Sequence, residues 1–269
     1  MNRTVVINVV GLTRRLIGTH TPNIEKFAAS GSSCDIDPVL PAVTCTAQST
    51  YLTGELPETH GIVGNGWYFK DECEVKFWRQ SNKLVSASKI WDVLKAKHPD
   101  FTCANLFWWY NMYSDVDISV TPRPNYLADG RKIPDIYSYP PEFRDVLQKE
   151  LGTFPLFHFW GPKADIRSSK WIAESAKKTE LTYSPTLTLI YLPHLDYNLQ
   201  RFGLDFEKIG KDLQEVDNLV GDLIAFYESR GTQVILLSEY GITDVSRPVH
   251  LNRVLRSKGL LAIRVERGL

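Results

Sequence analysis

Three short, almost unbroken runs of apolar and β-branched residues constrain this chain more than any other feature: residues 4–10, 186–192 and 233–237. None shows the polar–apolar alternation of a half-exposed strand. All three suit strands buried on both faces, as in a parallel sheet covered by helices. Ahead of the third run, residues 206–230 place Ile209, Leu213, Val216, Leu219, Val220 and Leu223 on one side of a long helix. Thr21-Pro22-Asn23 opens another helix, with Thr21 as its cap, Pro22 in its first turn and Gly31 as its stop. Residues 164–178 and 250–258 are also expected to be helical, with a strand at 34–39, held to an edge or end by Pro38, and a last strand at 260–265. This alternation specifies an α/β fold: a three-layer sandwich whose central sheet is mostly parallel. Chemistry in such a fold sits beyond the carboxyl ends of the strands.

Residues 65–160 are different in character, rich in Trp, Tyr, Pro and Asn. They are expected to be largely irregular, with one sheet strand near 102–107, and to form a cap-like insertion in a single domain spanning 1–269. Trp67, Tyr68, Trp108, Trp109 and Tyr110 either lie in that cap, where they can stack on a base or apolar leaving group, or fill the core of the insertion.

Lys plus Arg and Asp plus Glu both number 31, so the chain carries no electrostatic footprint for nucleic acid or an anionic membrane. No run approaches the roughly 18 apolar residues of a membrane span. Cys34, Cys45, Cys73 and Cys103 form no C-x-x-C pair, and Met1-Asn2-Arg3 leads into no signal sequence, so free thiols and a cytoplasmic location are expected. Asn8-Val9-Val10-Gly11-Leu12 lacks the G-x-G-x-x-G of dinucleotide-binding enzymes.

Three further segments carry a resemblance: Thr21-Pro22-Asn23-Ile24; Pro41-Ala42-Val43-Thr44 with Leu52-Thr53-Gly54, Pro57 and His60-Gly61-Ile62-Val63-Gly64-Asn65; and Tyr191-Leu192-Pro193-His194-Leu195-Asp196 with Leu237-Ser238-Glu239-Tyr240-Gly241. In order and spacing they resemble the alkaline phosphatase superfamily, on its nucleotide pyrophosphatase/phosphodiesterase branch. The resemblance implies an alkaline-phosphatase-like fold and hydrolysis of phosphodiester, pyrophosphate or related phospho- and phosphonoester bonds. Thr44 would be the nucleophile, forming a phospho-enzyme at a helix N-terminus, with divalent metal ions assisting. A small phosphorylated substrate, such as a nucleotide, is implied as the ligand.

Several positions depart from the family pattern. Val10 stands where the first strand usually ends in a metal-binding Asp, and Ala47 where an Asn helps to hold phosphate. Gln200 replaces a His four residues after Asp196, and Glu239-Tyr240 replaces Asp-His. The matching metal positions thus hold Asp196, Gln200, Glu239 and Tyr240, with His194 as a replacement ligand or a partner for a nearby carbonyl. This oxygen-rich set suits Mg²⁺, Mn²⁺ or Ca²⁺ better than zinc. His60 is expected to be structural, and His250 to start a helix; Arg14, Arg15 and Arg201 are the nearest basic groups. A further metal-binding His of the family comes from downstream of the last loop, so the resemblance implies a shortened member or a chain cut before that segment. A diverged relative that binds a phosphorylated ligand without turnover is the alternative reading.

Overall fold

The computed structural model describes residues 1–263. Its central sheet contains β1 (Thr4–Val9), β2 (Cys103–Leu106), β3 (Ile118–Pro122), β4 (Ile136–Tyr139), β5 (Leu187–Leu192) and β6 (Gln233–Leu237). Their order is β6-β1-β5-β2-β3-β4. Every neighbouring pair is parallel except β3–β4. The helices are α1 (Pro22–Ser30), α2 (Thr44–Thr53), α3 (Ile90–Lys97), α4 (Phe143–Leu151), α5 (Ile166–Tyr183), α6 (Asp196–Phe202), α7 (Phe206–Glu228) and α8 (Leu251–Ser257). The mostly parallel α/β architecture is the one that the apolar runs require, but β6 is half-exposed where burial on both faces was expected, because it lies at the edge of the sheet. Val5, Ile7 and Val9 of β1 are fully buried, as are Leu213, Val216, Val220 and Leu223 along the apolar stripe of α7. No described helix is long and apolar enough to cross a membrane.

Several expectations about strands need correction. Residues 34–39 form no strand and lie at the surface, where Pro38 has no N–H to give a ladder. Residues 260–263 are also outside any strand; the remainder of that expected strand lies outside the described residues. Residues 65–160 supply β2, β3 and β4, half of the central sheet, where one strand was expected. Outside the central sheet the same residues form two short hairpins, pairing Gly66–Phe69 with Glu74–Phe77 and Asn125–Tyr126 with Lys132–Ile133.

Thr21 does not cap α1. Its hydroxyl donates to Leu16 O (2.9 Å) and accepts from Gly18 N (2.9 Å), closing the preceding turn. The open end of α1 is satisfied instead from α7: Asp217 accepts from Asn23 N (3.1 Å), Asn23 Nδ2 (2.8 Å) and Ile24 N (2.9 Å). A buried carboxylate at a helix N-terminus both meets its free N–H groups and complements its dipole. Asp217→Ala is therefore expected to lower stability by about 2–4 kcal/mol, because it strands buried donors. Urea denaturation tests this, and a loss below about 0.5 kcal/mol would show the contact to be dispensable.

Candidate active site

β6, β1 and β5 are parallel neighbours, so the segments following them emerge side by side at one edge of the sheet. Val10 follows β1, Asp196 begins α6 after the β5 turn, and Glu239 and Tyr240 follow β6. Thr44 reaches the same edge as the first residue of α2. The glycines of the nucleophile-like segment make its turns possible. Gly54 closes α2 with φ 70°, its N–H bonding Thr50 O, and Gly61 closes the next helical turn with φ 80°. Left-handed backbone of this kind strains side chains other than glycine's.

Thr44, Asp196, Gln200 and Tyr240 line one cleft of about 480 Å³, together with Asn65, Trp78, Phe159, Trp160, Tyr191 and Tyr197. No Lys, Arg or His is among the lining residues. Glu239 lies just beneath, 2% exposed. Its Oε2 accepts from Asn8 Nδ2 (2.8 Å) and Gln48 Nε2 (2.8 Å), while Oε1 has no partner. Gln48 is fixed in turn by the Trp109 backbone N–H, which donates to its Oε1 at 2.6 Å. Asp196 Oδ1 accepts from the Tyr240 hydroxyl (3.0 Å) and Oδ2 from Gln200 Nε2 (2.9 Å). Gln200 reaches Asp196 because positions i and i+4 share one face of α6.

Burial pushes the Glu239 carboxyl up to about 7, against the opposing pull of Thr44, Asn8 and Gln48, and the Asp196 charge raises it further. Burial also raises Asp196, offset by the hydrogen bonds from Gln200 and Tyr240. The Tyr240 phenol is driven up by desolvation and by the charges of Asp196 and Glu239, so it is a neutral donor here. The Thr44 hydroxyl adjoins Glu239, Tyr191 and Tyr240.

The structure thus gathers Thr44, Asp196, Gln200, Glu239 and Tyr240. His194 does not join them. The two-residue spacing to Asp196 puts both on one side only if the strand continues, but β5 ends at Leu192 and a turn precedes α6. His194 faces α7 instead, beside Asp212 and Glu215. His60 is buried and structural: its Nδ1 accepts from Ile62 N, leaving Nε2–H to donate to Thr50 Oγ1. Arg14 pairs with Asp35 and Arg201 with Pro162 O, and neither lines the cleft, nor does Arg15.

Of the five aromatics singled out in the sequence, Trp108, Trp109 and Tyr110 are core residues, and neither Trp67 nor Tyr68 lines the cleft. The aromatic wall is built instead by Trp78 and Trp160, with Trp109 packed edge-on behind Trp78 at 5.0 Å. Asn65 is a third cleft residue that sequence reasoning passed over. Asn65 and Trp78 flank the hairpin at its base, tied by Trp78 N donating to Asn65 O (2.9 Å). Asn65 Oδ1 accepts from Cys45 N at the start of α2, which holds the side-chain amide at the cleft beside Thr44. The closing Asn of the H-G-I-V-G-N segment was the available signal for it.

The donor set fits a divalent cation. Asp196 is half-buried and Glu239 buried, the Asp196 charge raises the proton affinity of Glu239 with no basic side chain lining the cleft, and Glu239 Oε1 is a buried acceptor without a partner. It does not fit an imidazole-bound zinc pair, because no histidine faces the cleft.

A model of the family described as type I phosphodiesterase/nucleotide pyrophosphatase matches residues 4–268. An uncharacterized pyrophosphatase/phosphodiesterase of Schizosaccharomyces pombe is 25% identical over 231 residues, covering 84% of this chain and 41% of that protein. Ectonucleotide pyrophosphatase/phosphodiesterase family member 1 of Rattus norvegicus is 26% identical over 250 residues, covering 87% and 23%. Among solved structures, murine ectonucleotide pyrophosphatase/phosphodiesterase 5, as an inactive threonine-to-alanine variant in complex with AMP, superposes with a TM-score of 0.63 at 17% identity, covering 92% of this chain and 59% of that one. Phosphonoacetate hydrolase from Sinorhizobium meliloti in complex with phosphonoacetate gives 0.65 at 11% identity, covering 96% and 62%. The two curated relatives and these two solved structures are all longer than the part this chain spans.

Proposed function

The chain belongs to the type I phosphodiesterase/nucleotide pyrophosphatase family, and within it we propose a hydrolase of phosphodiester, pyrophosphate or related phospho- and phosphonoester bonds, with Thr44 as nucleophile. The observation that carries this reading is the Thr44 hydroxyl at the first position of a buried helix, lining a cleft and adjoining the buried carboxylate of Glu239. Asp196, Glu239 and the Thr44 hydroxyl would hold one divalent ion, with Gln200 and Tyr240 orienting Asp196. An all-oxygen set favours Mg²⁺, Mn²⁺ or Ca²⁺. When bound, the ion supplies positive charge for the phosphoryl oxygens and lowers the pKa of the Thr44 hydroxyl.

The chain's own groups do the rest. The N-terminal end of α2 offers backbone N–H groups and the positive end of its dipole to a phosphoryl oxygen, and Asn65 Nδ2 donates beside them. Thr44 Oγ forms a bond to phosphorus as the bond to the departing ester oxygen breaks, and the Thr44 hydroxyl proton is relayed through a cleft water to that leaving oxygen. Water then cleaves the Thr44–phosphorus ester and restores the hydroxyl. The Trp78 and Trp160 faces suit a base or an aryl leaving group. A nucleotide is the substrate class that uses both the phosphoryl end and the aromatic wall.

A p-nitrophenyl phosphodiester assay across Mg²⁺, Mn²⁺, Ca²⁺ and Zn²⁺ on chelator-treated protein tests this reading. Activity restored by an oxygen-preferring cation supports it, and inactivity with every cation contradicts it. Trp78→Ala is expected to reduce kcat/KM roughly tenfold for the aryl ester, the equivalent of one lost stacking contact. A methyl ester should be little affected, and equal losses for the two esters would remove Trp78 from recognition.

One observation favours the alternative, a ligand-binding relative without turnover. Internal donors already engage both oxygens of Asp196 and one of Glu239. Calorimetric binding of AMP with no hydrolysis under any cation would select it.

A further inference from the structure

We propose that His194, Asp212 and Glu215 form a second cation site, separate from the cleft, for a first-row transition ion of the zinc type. The His194 side chain is 2% exposed and neither ring nitrogen has a hydrogen-bond partner. A buried imidazole left without partners needs an explanation. Its Nε2 lies 3.4 Å from Glu215 Oε2 and 3.6 Å from Asp212 Oδ1. One ligand atom from each of the three residues lies within 4.8 Å of the others.

The spacing is informative. An N–H···O hydrogen bond would draw a pair in to about 2.9 Å. Two ligands sharing a tetrahedral ion, with bonds of about 2.0–2.1 Å, stand about 3.3 Å apart. The observed separations lie at and slightly above the second value. Asp212 and Glu215 project from one face of α7, three residues apart. Asn198 Nδ2 donates to the other oxygen of Asp212 at 2.5 Å, which orients the carboxylate that faces His194. Lys211 Nζ stands 3.8 Å from the outer oxygen of Glu215. Asp165 adds negative charge nearby, though its carboxylate also pairs with Arg167 and His158.

One imidazole nitrogen with two carboxylate oxygens is a donor set for zinc and its first-row neighbours, whereas Mg²⁺ and Ca²⁺ take oxygen alone. Glu215 is 29% exposed, which gives an ion an entry path and leaves space for a water as fourth ligand. The role is structural. Pro193 lines the catalytic cleft and His194 faces away from it, two residues before Asp196. An ion on His194 would tie the turn after β5 to α7 and so fix the start of α6, where Asp196 sits.

The test is calorimetric titration of chelator-treated protein with Zn²⁺, alongside visible spectroscopy with Co²⁺. Wild type is expected to bind one Zn²⁺ per chain, to show the intense d–d bands of tetrahedral Co²⁺, and to unfold at higher temperature when loaded. Glu239→Gln should keep all three signals, because Glu239 belongs to the cleft. His194→Gln and Glu215→Gln should each weaken Zn²⁺ binding roughly 100-fold or more and abolish the Co²⁺ bands. Glu215 lies partly exposed on a helix surface, so that variant remains informative if His194→Gln fails to fold. Absence of Zn²⁺ binding by wild type would overturn the proposal. Affinity unchanged in Glu215→Gln would overturn it as well.

Discussion

Thr44→Ala is expected to lower kcat/KM on an activated phosphodiester by roughly 10⁴-fold or more, the scale seen when a catalytic nucleophile is removed elsewhere. No neighbour can take over. Thr46 is fully buried, its hydroxyl has no hydrogen-bond partner, and it does not line the cleft. The Tyr191 and Tyr240 phenols border the cleft, but burial holds both well above the usual tyrosine range, so neither is a ready nucleophile. Thr44→Ser keeps the oxygen at the helix start and should retain activity within about tenfold. Circular dichroism of Thr44→Ala should match wild type, since the residue supplies no cap bond to α2. Activity that survives Thr44→Ala at wild-type rates would remove the residue from the chemistry.

The second large effect concerns Glu239 and runs against the habit that removing a buried, hydrogen-bonded group destabilises. Its carboxyl ordinarily titrates at 4.5 and is pushed up to about 7 in the folded protein. Between those values the folded state keeps a proton that the unfolded chain has already released. The advantage this gives the native state is complete below the unfolded value and is lost as pH rises through 7. Above that pH, in the absence of a cation, the buried charge costs roughly 3 kcal/mol relative to the acid form. Glu239→Gln removes the charge yet leaves an oxygen to accept from Asn8 and Gln48. In chelator at pH 8 the variant should therefore melt about 5–10 °C above wild type, and its stability should vary less between pH 4.5 and 7. Mn²⁺ should raise the melting temperature of wild type at that pH with no comparable gain in the variant, whose phosphodiesterase activity should fall by at least about 100-fold. Thermal scans across pH, with and without Mn²⁺, check all of this. A wild-type protein whose stability does not change across that pH window, or a variant less stable than wild type at pH 8, would contradict the charge assignment.

What was legible in the sequence follows from where the determining contacts lie. The runs that become β1, β5 and β6 are strongly apolar, so local pattern sufficed to find them as strands, although only β1 and β5 are deeply buried and β6 lies half-exposed at the sheet edge; their parallel adjacency carries Asp196 and Glu239 to one end of the sheet. β2 was expected near 102–107 although it buries Asn105, but β3 escaped that pattern because it buries Ser119 and Thr121. These polar groups are accommodated by specific partners: Asn105 Oδ1 accepts from Trp108 N, and Thr121 Oγ1 from Gln80 Nε2. The capping of α1 by Asp217 joins residues nearly two hundred positions apart, which no local signature encodes. His194 was misplaced because strand periodicity was carried past Leu192 into a turn, where alternation no longer applies. The pairing of Asn65 with Trp78 depended on the register of a hairpin whose partner strand, Glu74–Phe77, is mostly exposed.

The account's central claim is that Thr44 attacks phosphorus and carries the phosphoryl group through a covalent ester. The stereochemistry of transfer tests it most directly. One diastereomer of a p-nitrophenyl phosphorothioate diester, turned over in the presence of Mn²⁺ and methanol, yields a methyl ester whose configuration phosphorus NMR can read. Two successive in-line displacements, first by Thr44 Oγ and then by methanol, predict net retention at phosphorus. Net inversion would mean a single direct displacement by the acceptor, and would contradict the role assigned to Thr44.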